Sequence, residues 1–178
     1  MTINIAKERR AIDAALDTYR NLLDGFTNER FTQTPPMGGW SYAEVYDHIL
    51  KASMGATIAL ERCTNNNCPP TKKGMNFWGC YVMLTGIFPP GKSKVPDNMA
   101  DKLTPARINI EEAKNLIIKI RKRIDGVTGL IANANKNTRW LHPCLGMLNA
   151  AQWFKFTRIH LEHHLKQLER IKSDFVKG

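Results

Sequence analysis

The sequence predicts an all-α fold: a four-helix bundle running up-down-down-up, with a long crossover between its second and third helices. Four segments carry apolar residues at three- and four-residue steps, the period of a helix with one buried face. Three of them open on a pair suited to reciprocal capping, Ser41/Glu44, Asn109/Glu112 and Asn149/Gln152. Between the second and third lie residues 63–105, far more chain than neighbouring antiparallel helices need, so those two helices are expected to point the same way.

The first helix is expected over 4–26, where Ile12, Ala15, Leu16, Tyr19, Leu22, Leu23 and Phe26 form one stripe. "FTQTPPMGG" then stops it, because two prolines and two glycines cannot continue a helix. The second helix starts after Ser41 and buries Val45, Ile49, Ala52, Ala56 and Leu60 as far as about residue 62. Residues 63–105 read as a loop-rich insertion, "CTNNNCPPTKKG" and "FPPGKSKVPDN" flanking an apolar "MNFWGCYVMLTGIF" that suits a short helix. The third helix follows Asn109 through Ala113, Leu116, Ile117, Ile120 and Ile124, with Gly126 and Gly129 expected to end it. The fourth follows Asn149 to about residue 175, and no strand-like alternation competes with these four.

At 178 residues the chain suits one domain, 1–178, with a sizeable core. Its 43% apolar and 24% charged residues are those of an ordinary globular protein, and no apolar run reaches the roughly 20 residues of a membrane span. The start, "MTINIAKERR", lacks an apolar block with a cleavage site, which places the protein in the cytoplasm and leaves Cys63, Cys68, Cys80 and Cys144 as free thiols. The spacing of Cys63, Cys68 and Cys80 matches no standard zinc site. The net charge of +10 favours anionic partners, nucleic acid included. Its one local run, "KIRKR" (119–123), is the wet face of an amphipathic helix, and charge alone does not make a nucleic-acid binder.

Three of the five histidines fall in "RIHLEHHLKQL" (158–168). At about 100 degrees per residue, His160 and His164 fall on the shoulder of the apolar face set by Trp153, Phe154, Leu161 and Leu168, whereas His163 points to solvent or the rim. Two imidazoles four residues apart can share one metal ion, although such a pair is a weak signal by itself. His48 holds the matching shoulder of the second helix, roughly 10 Å from that helix's start; His160 and His164 lie roughly 16–22 Å into the fourth. The levels coincide only if the two helices are antiparallel, which is what the crossover requires. Three separate histidines at the core edge, each satisfied by its own hydrogen bond, is the competing reading.

"GGWSYAEVYDHIL" (38–50) and "HPCLGMLNAAQWFKFTRIHLEHHLKQLERI" (142–171) together resemble the signature helices of the DinB-like (DinB/YfiT) metalloenzyme superfamily. The resemblance is close over these two segments and extends to the rest only in order and length. It implies a four-helix bundle of the same topology and a divalent ion, nickel or zinc, held by His48, His160 and His164. It implies also that the chain could be a thiol-dependent S-transferase, joining a low-molecular-weight thiol to an electrophilic small molecule. A metal-dependent hydrolase or a non-catalytic metal-binding bundle is the alternative, and a basic nucleic-acid-associated protein the second. His142 belongs to a structural turn; Tyr19, Gln152 and Gln167 are candidates for contacts behind the ligands or to substrate. A homodimer is compatible on general grounds.

Overall fold

In the computed structural model, residues 2–69, 71–89 and 104–177 are described. The helices are α1 (Ile5–Asp24), α2 (Asn28–Thr32), α3 (Tyr42–Thr64), α4 (Phe77–Thr85), α5 (Ile110–Ile131) and α6 (Ala150–Lys177), with a hairpin of β1 (Arg139–His142) and β2 (Gly146–Asn149) before α6. The expected four helices are α1, α3, α5 and α6. Of the insertion over 63–105, residues 70 and 90–103 lie outside the described residues.

Contacts between side chains fix the helix directions. Arg9 pairs with Asp125, Arg121 with Asp17 and Lys114 with Asp24, so α1 and α5 run antiparallel. Arg107 beside α5's start reaches Glu44, and Arg123 further on reaches Thr57 and Glu61, so α3 and α5 run the same way. Tyr42 stacks on Phe175 while Cys63 lies against the Leu148 carbonyl, so α6 opposes α3. The result is up-down-down-up, and among the described residues each long helix packs against two others in the order α1, α6, α3, α5.

The capping boxes at Ser41/Glu44 and Asn109/Glu112 are both made, and Asn149 and Gln152 exchange the same two bonds at 2.9 and 3.0 Å. Gln152 is thereby engaged at the helix start and is not a site residue. Asn4, four residues before Glu8, caps α1 through the Lys7 amide. The short α2, capped by Thr27, was not expected; it buries Phe31 against Tyr46.

Two expectations are corrected. Gly126 and Gly129 do not end α5, which continues to Ile131. Each glycine costs a helix about 1 kcal/mol, but continuing buries Val127 and Ile131, about 1.5–3 kcal/mol apiece. The second correction is the hairpin. Its strands of four residues are too short to show alternation, and packing on the body sets them: Leu148 pairs opposite Trp140 and is fully buried.

The hairpin anchors α4. Asn76 donates its amide to the Leu145 carbonyl and its side chain to the Cys144 carbonyl, while the Met147 amide donates to Gly74. Gly146 turns there with φ +83, and a Cβ on it would stand 2.7 Å from the Asn76 nitrogen. At the other end of the crossover, fully buried Asp47 accepts from the Ala106 amide at 2.8 Å and pairs with Lys51. Asp47 thus faces away from the neighbouring His48 and ties the returning chain to α3.

Candidate metal centre

His48 from the second turn of α3 and His160 and His164 from adjacent turns of α6 meet where those antiparallel helices cross. Their ligating nitrogens all lie within 4.8 Å of one another, with His164 buried and the other two half-buried. Among the described residues no carboxylate or thiol joins this cluster. Metal–imidazole bonds of about 2.0–2.1 Å put cis or tetrahedral ligands about 2.9–3.4 Å apart. The Nε2 atoms of His160 and His164 are 3.0 Å apart, within that range. The His48 ring centroid stands 4.8 Å from that of His164 and 5.5 Å from that of His160, against 4.7 Å between His160 and His164.

The hydrogen bonds agree with this donor set. His164 Nδ1 donates to Gln167 Oε1 at 2.7 Å, which leaves the lone pair of Nε2 facing the centre. Two imidazole nitrogens facing each other at 3.0 Å need a proton or a cation between them. Burial pushes all three imidazoles toward the neutral form: His164 down to about 3, His160 well below the ordinary value, and His48 lowered with Asp47 partly opposing. Neutral imidazole is the form that binds metal.

Aromatic rings wall the centre. Trp40 lies 5.2 Å from His48, Phe156 5.1 Å from His160, and Phe88 from the insertion 5.6 Å from His160. None of these was picked out from the sequence. Phe156 is four residues before His160 and Trp40 belongs to the signature stretch, so both carried a signal; Phe88, in an aperiodic segment, carried none. His163 sits at the rim as expected, its ring 4.8 Å from Phe88. His142 is held in its turn, its Nδ1 accepting from the Cys144 and Leu145 amides at 3.1 and 3.2 Å. Tyr19 turns into the core and donates to the Leu161 carbonyl, so it is no part of the centre. Gln167, by contrast, stands directly behind a ligand.

The profile of the DinB superfamily matches residues 11–168. The chain belongs to the DinB superfamily. Among solved structures it is similar to TT2238, a four-helix bundle protein, with a TM-score of 0.62, 16% identity, and 94% of this chain and 99% of that one covered. It is also similar to YfiT from Bacillus subtilis, described as a probable metal-dependent hydrolase with an unusual four-helix bundle topology. There the TM-score is 0.57 at 14% identity, with 97% and 89% covered. No curated protein matches the chain significantly by sequence. Among the described residues no helix is long and apolar enough to cross a membrane.

Proposed function

We propose that His48, His160 and His164 bind one divalent transition ion, nickel or zinc, and that the loaded protein transfers a low-molecular-weight thiol to an electrophilic small molecule. The observation that carries this is three imidazoles whose ligating nitrogens converge within 4.8 Å, with no carboxylate among them in the described residues. Bound there, the ion would keep its full charge and open positions, and would lower the pKa of a coordinated thiol or water.

The surrounding residues favour the thiol. Beside the histidines stand aromatic walls and an amide, and among the described residues no carboxylate joins them: Asp47 is turned away and Glu44 is held by Ser41. A thiol with a pKa near 8.5 releases its proton far more readily than water at 15.7. Trp40, Phe88 and Phe156 exclude water from one side and offer apolar faces to an electrophile. Hydrolysis is the second reading, supported by the description of the similar YfiT.

Metal-loaded protein incubated with small thiols and a reporter electrophile separates these. A thioether product that needs the metal and vanishes in His48→Ala supports transfer. Ester cleavage without thiol supports hydrolysis. Neither product from loaded protein defeats both.

A further inference from the structure

Cys63 and Cys68 lie outside the metal centre, and their Sγ atoms are 3.9 Å apart. On a continuous helix, residues five apart point about 140° away from each other, so the chain has to turn to bring these two together. It does so directly after α3. Asn65 caps the helix, Asn66 follows with a left-handed φ of 55, and the Asn67 amide donates to the Arg62 carbonyl at 2.8 Å. That is the six-to-one bond of a Schellman turn. Thr138, from the loop after α5, holds the turn by donating its hydroxyl to the Asn66 side-chain oxygen at 3.0 Å. Cys68, the next residue along, comes back against the last turn of α3.

The two thiols differ in access. Cys63 is fully buried beneath the hairpin, its sulfur 3.8 Å from the Leu148 carbonyl. Burial first, and the neighbouring thiol after it, push the Cys63 thiol up to about 12, which makes it a poor first nucleophile at neutral pH. Cys68 is only half-buried. It lies outside helix and strand, so its sulfur can approach Cys63 without breaking a helical hydrogen bond. Among the described residues no third histidine, cysteine or carboxylate completes a metal cluster around the two sulfurs, whereas structural zinc sites use four ligands. One thiol is reachable and the other is sheltered in contact with it, the arrangement of an attacking and a resolving cysteine.

We infer that Cys63 and Cys68 form an oxidative modification site, closing to a disulfide when a small hydroperoxide reaches Cys68. The Cys68 thiolate attacks the peroxide, the O–O bond breaks, and water or an alcohol departs, leaving Cys68 as a sulfenic acid. The Cys63 sulfur then attacks the Cys68 sulfur. The S–S bond forms, the S–O bond breaks, and the departing hydroxide takes the Cys63 proton as water. The thiol pair loses two electrons and one hydroperoxide is reduced. Contact compensates for the weak acidity of Cys63, because its attack is intramolecular. The sulfurs close from 3.9 Å to about 2.05 Å.

Trypsin cuts after Arg62 and Lys72, so both thiols fall in one peptide, residues 63–72. The folded protein is treated with hydrogen peroxide at neutral pH, quenched with catalase and unfolded in iodoacetamide. In most chains this peptide should lose two hydrogens and take no alkyl group, and dithiothreitol before alkylation should restore two alkylated cysteines. A peptide that stays doubly alkylated, or that carries sulfinic acid at Cys68, overturns the inference. Dimedone, which traps sulfenic acid, tests the division of roles in the folded protein. Cys63→Ala should take it at Cys68, and Cys68→Ser should take none at Cys63. Dimedone on Cys63, or none on Cys68, overturns the assignment. Should either variant fail to fold, the wild-type peptide decides alone.

Discussion

Removing the Gln167 amide tests whether the support behind His164 shapes the centre. Gln167 Oε1 accepts the His164 Nδ1 proton at 2.7 Å, and His164 is only 6% exposed, so little water can replace the lost acceptor. Gln167→Ala leaves a buried donor unsatisfied, at about 1–3 kcal/mol, and frees the ring to rotate or to adopt the other tautomer. Supports of this kind typically change metal affinity about 10–100-fold, or roughly 1.4–2.7 kcal/mol. The assay is competition for zinc or nickel against a chromophoric chelator of known affinity. Gln167→Ala should weaken binding by that factor. Gln167→Glu, which keeps an acceptor and adds charge, should bind as tightly as wild type or tighter. An affinity of Gln167→Ala within two-fold of wild type would refute the assigned role of this hydrogen bond.

Metal-free protein should lose stability as pH falls. Folding holds His48, His142, His160 and His164 below the ordinary histidine value, to about 4 for His142 and about 3 for His164, so the unfolded chain takes up protons first. Stability is fully present above pH 6.5 and is lost below it, by up to about 1.4 kcal/mol per pH unit for each such group; urea midpoints at pH 7, 6 and 5 measure it, and a flat series would contradict it. Gly79→Ala should unseat α4, because a Cβ there collides with the Leu145 carbonyl. Backbone cannot yield cheaply, so a cost of about 1–3 kcal/mol is expected in chemical denaturation. Exposed Cys80 should alkylate readily at pH 7, whereas Cys63, buried and with its thiol pushed up to about 12, should resist until the protein unfolds; mass mapping after brief iodoacetamide treatment reads both.

The long helices were legible because each carries a continuous apolar stripe and a strong opening: the Ser41 and Asn109 boxes fall where expected. What escaped notice lacked a periodic signal. The β1–β2 hairpin gets its shape from Leu148 packing on the body and from the His142 turn. Local glycine propensity marks an end to α5 at Gly126 and Gly129, and the burial of Val127 and Ile131 overrides it. At the centre, the convergence of His48, His160 and His164 was legible because helix phase and depth are set by residue spacing alone. Phe88 was not, since its approach to His160 depends on how the insertion folds back. Tyr19, a polar group on the buried stripe of α1, invited a functional reading but satisfies its hydroxyl within the core.

The most direct measurement is elemental analysis of untagged protein, alone and as His48→Ala. Wild type should carry close to one equivalent of a divalent transition metal per chain, and His48→Ala should lose most of it while keeping its helical circular dichroism. A wild-type protein that neither contains nor takes up such an ion, or a His48→Ala protein that keeps a full equivalent, would contradict the shared-ion account of these histidines.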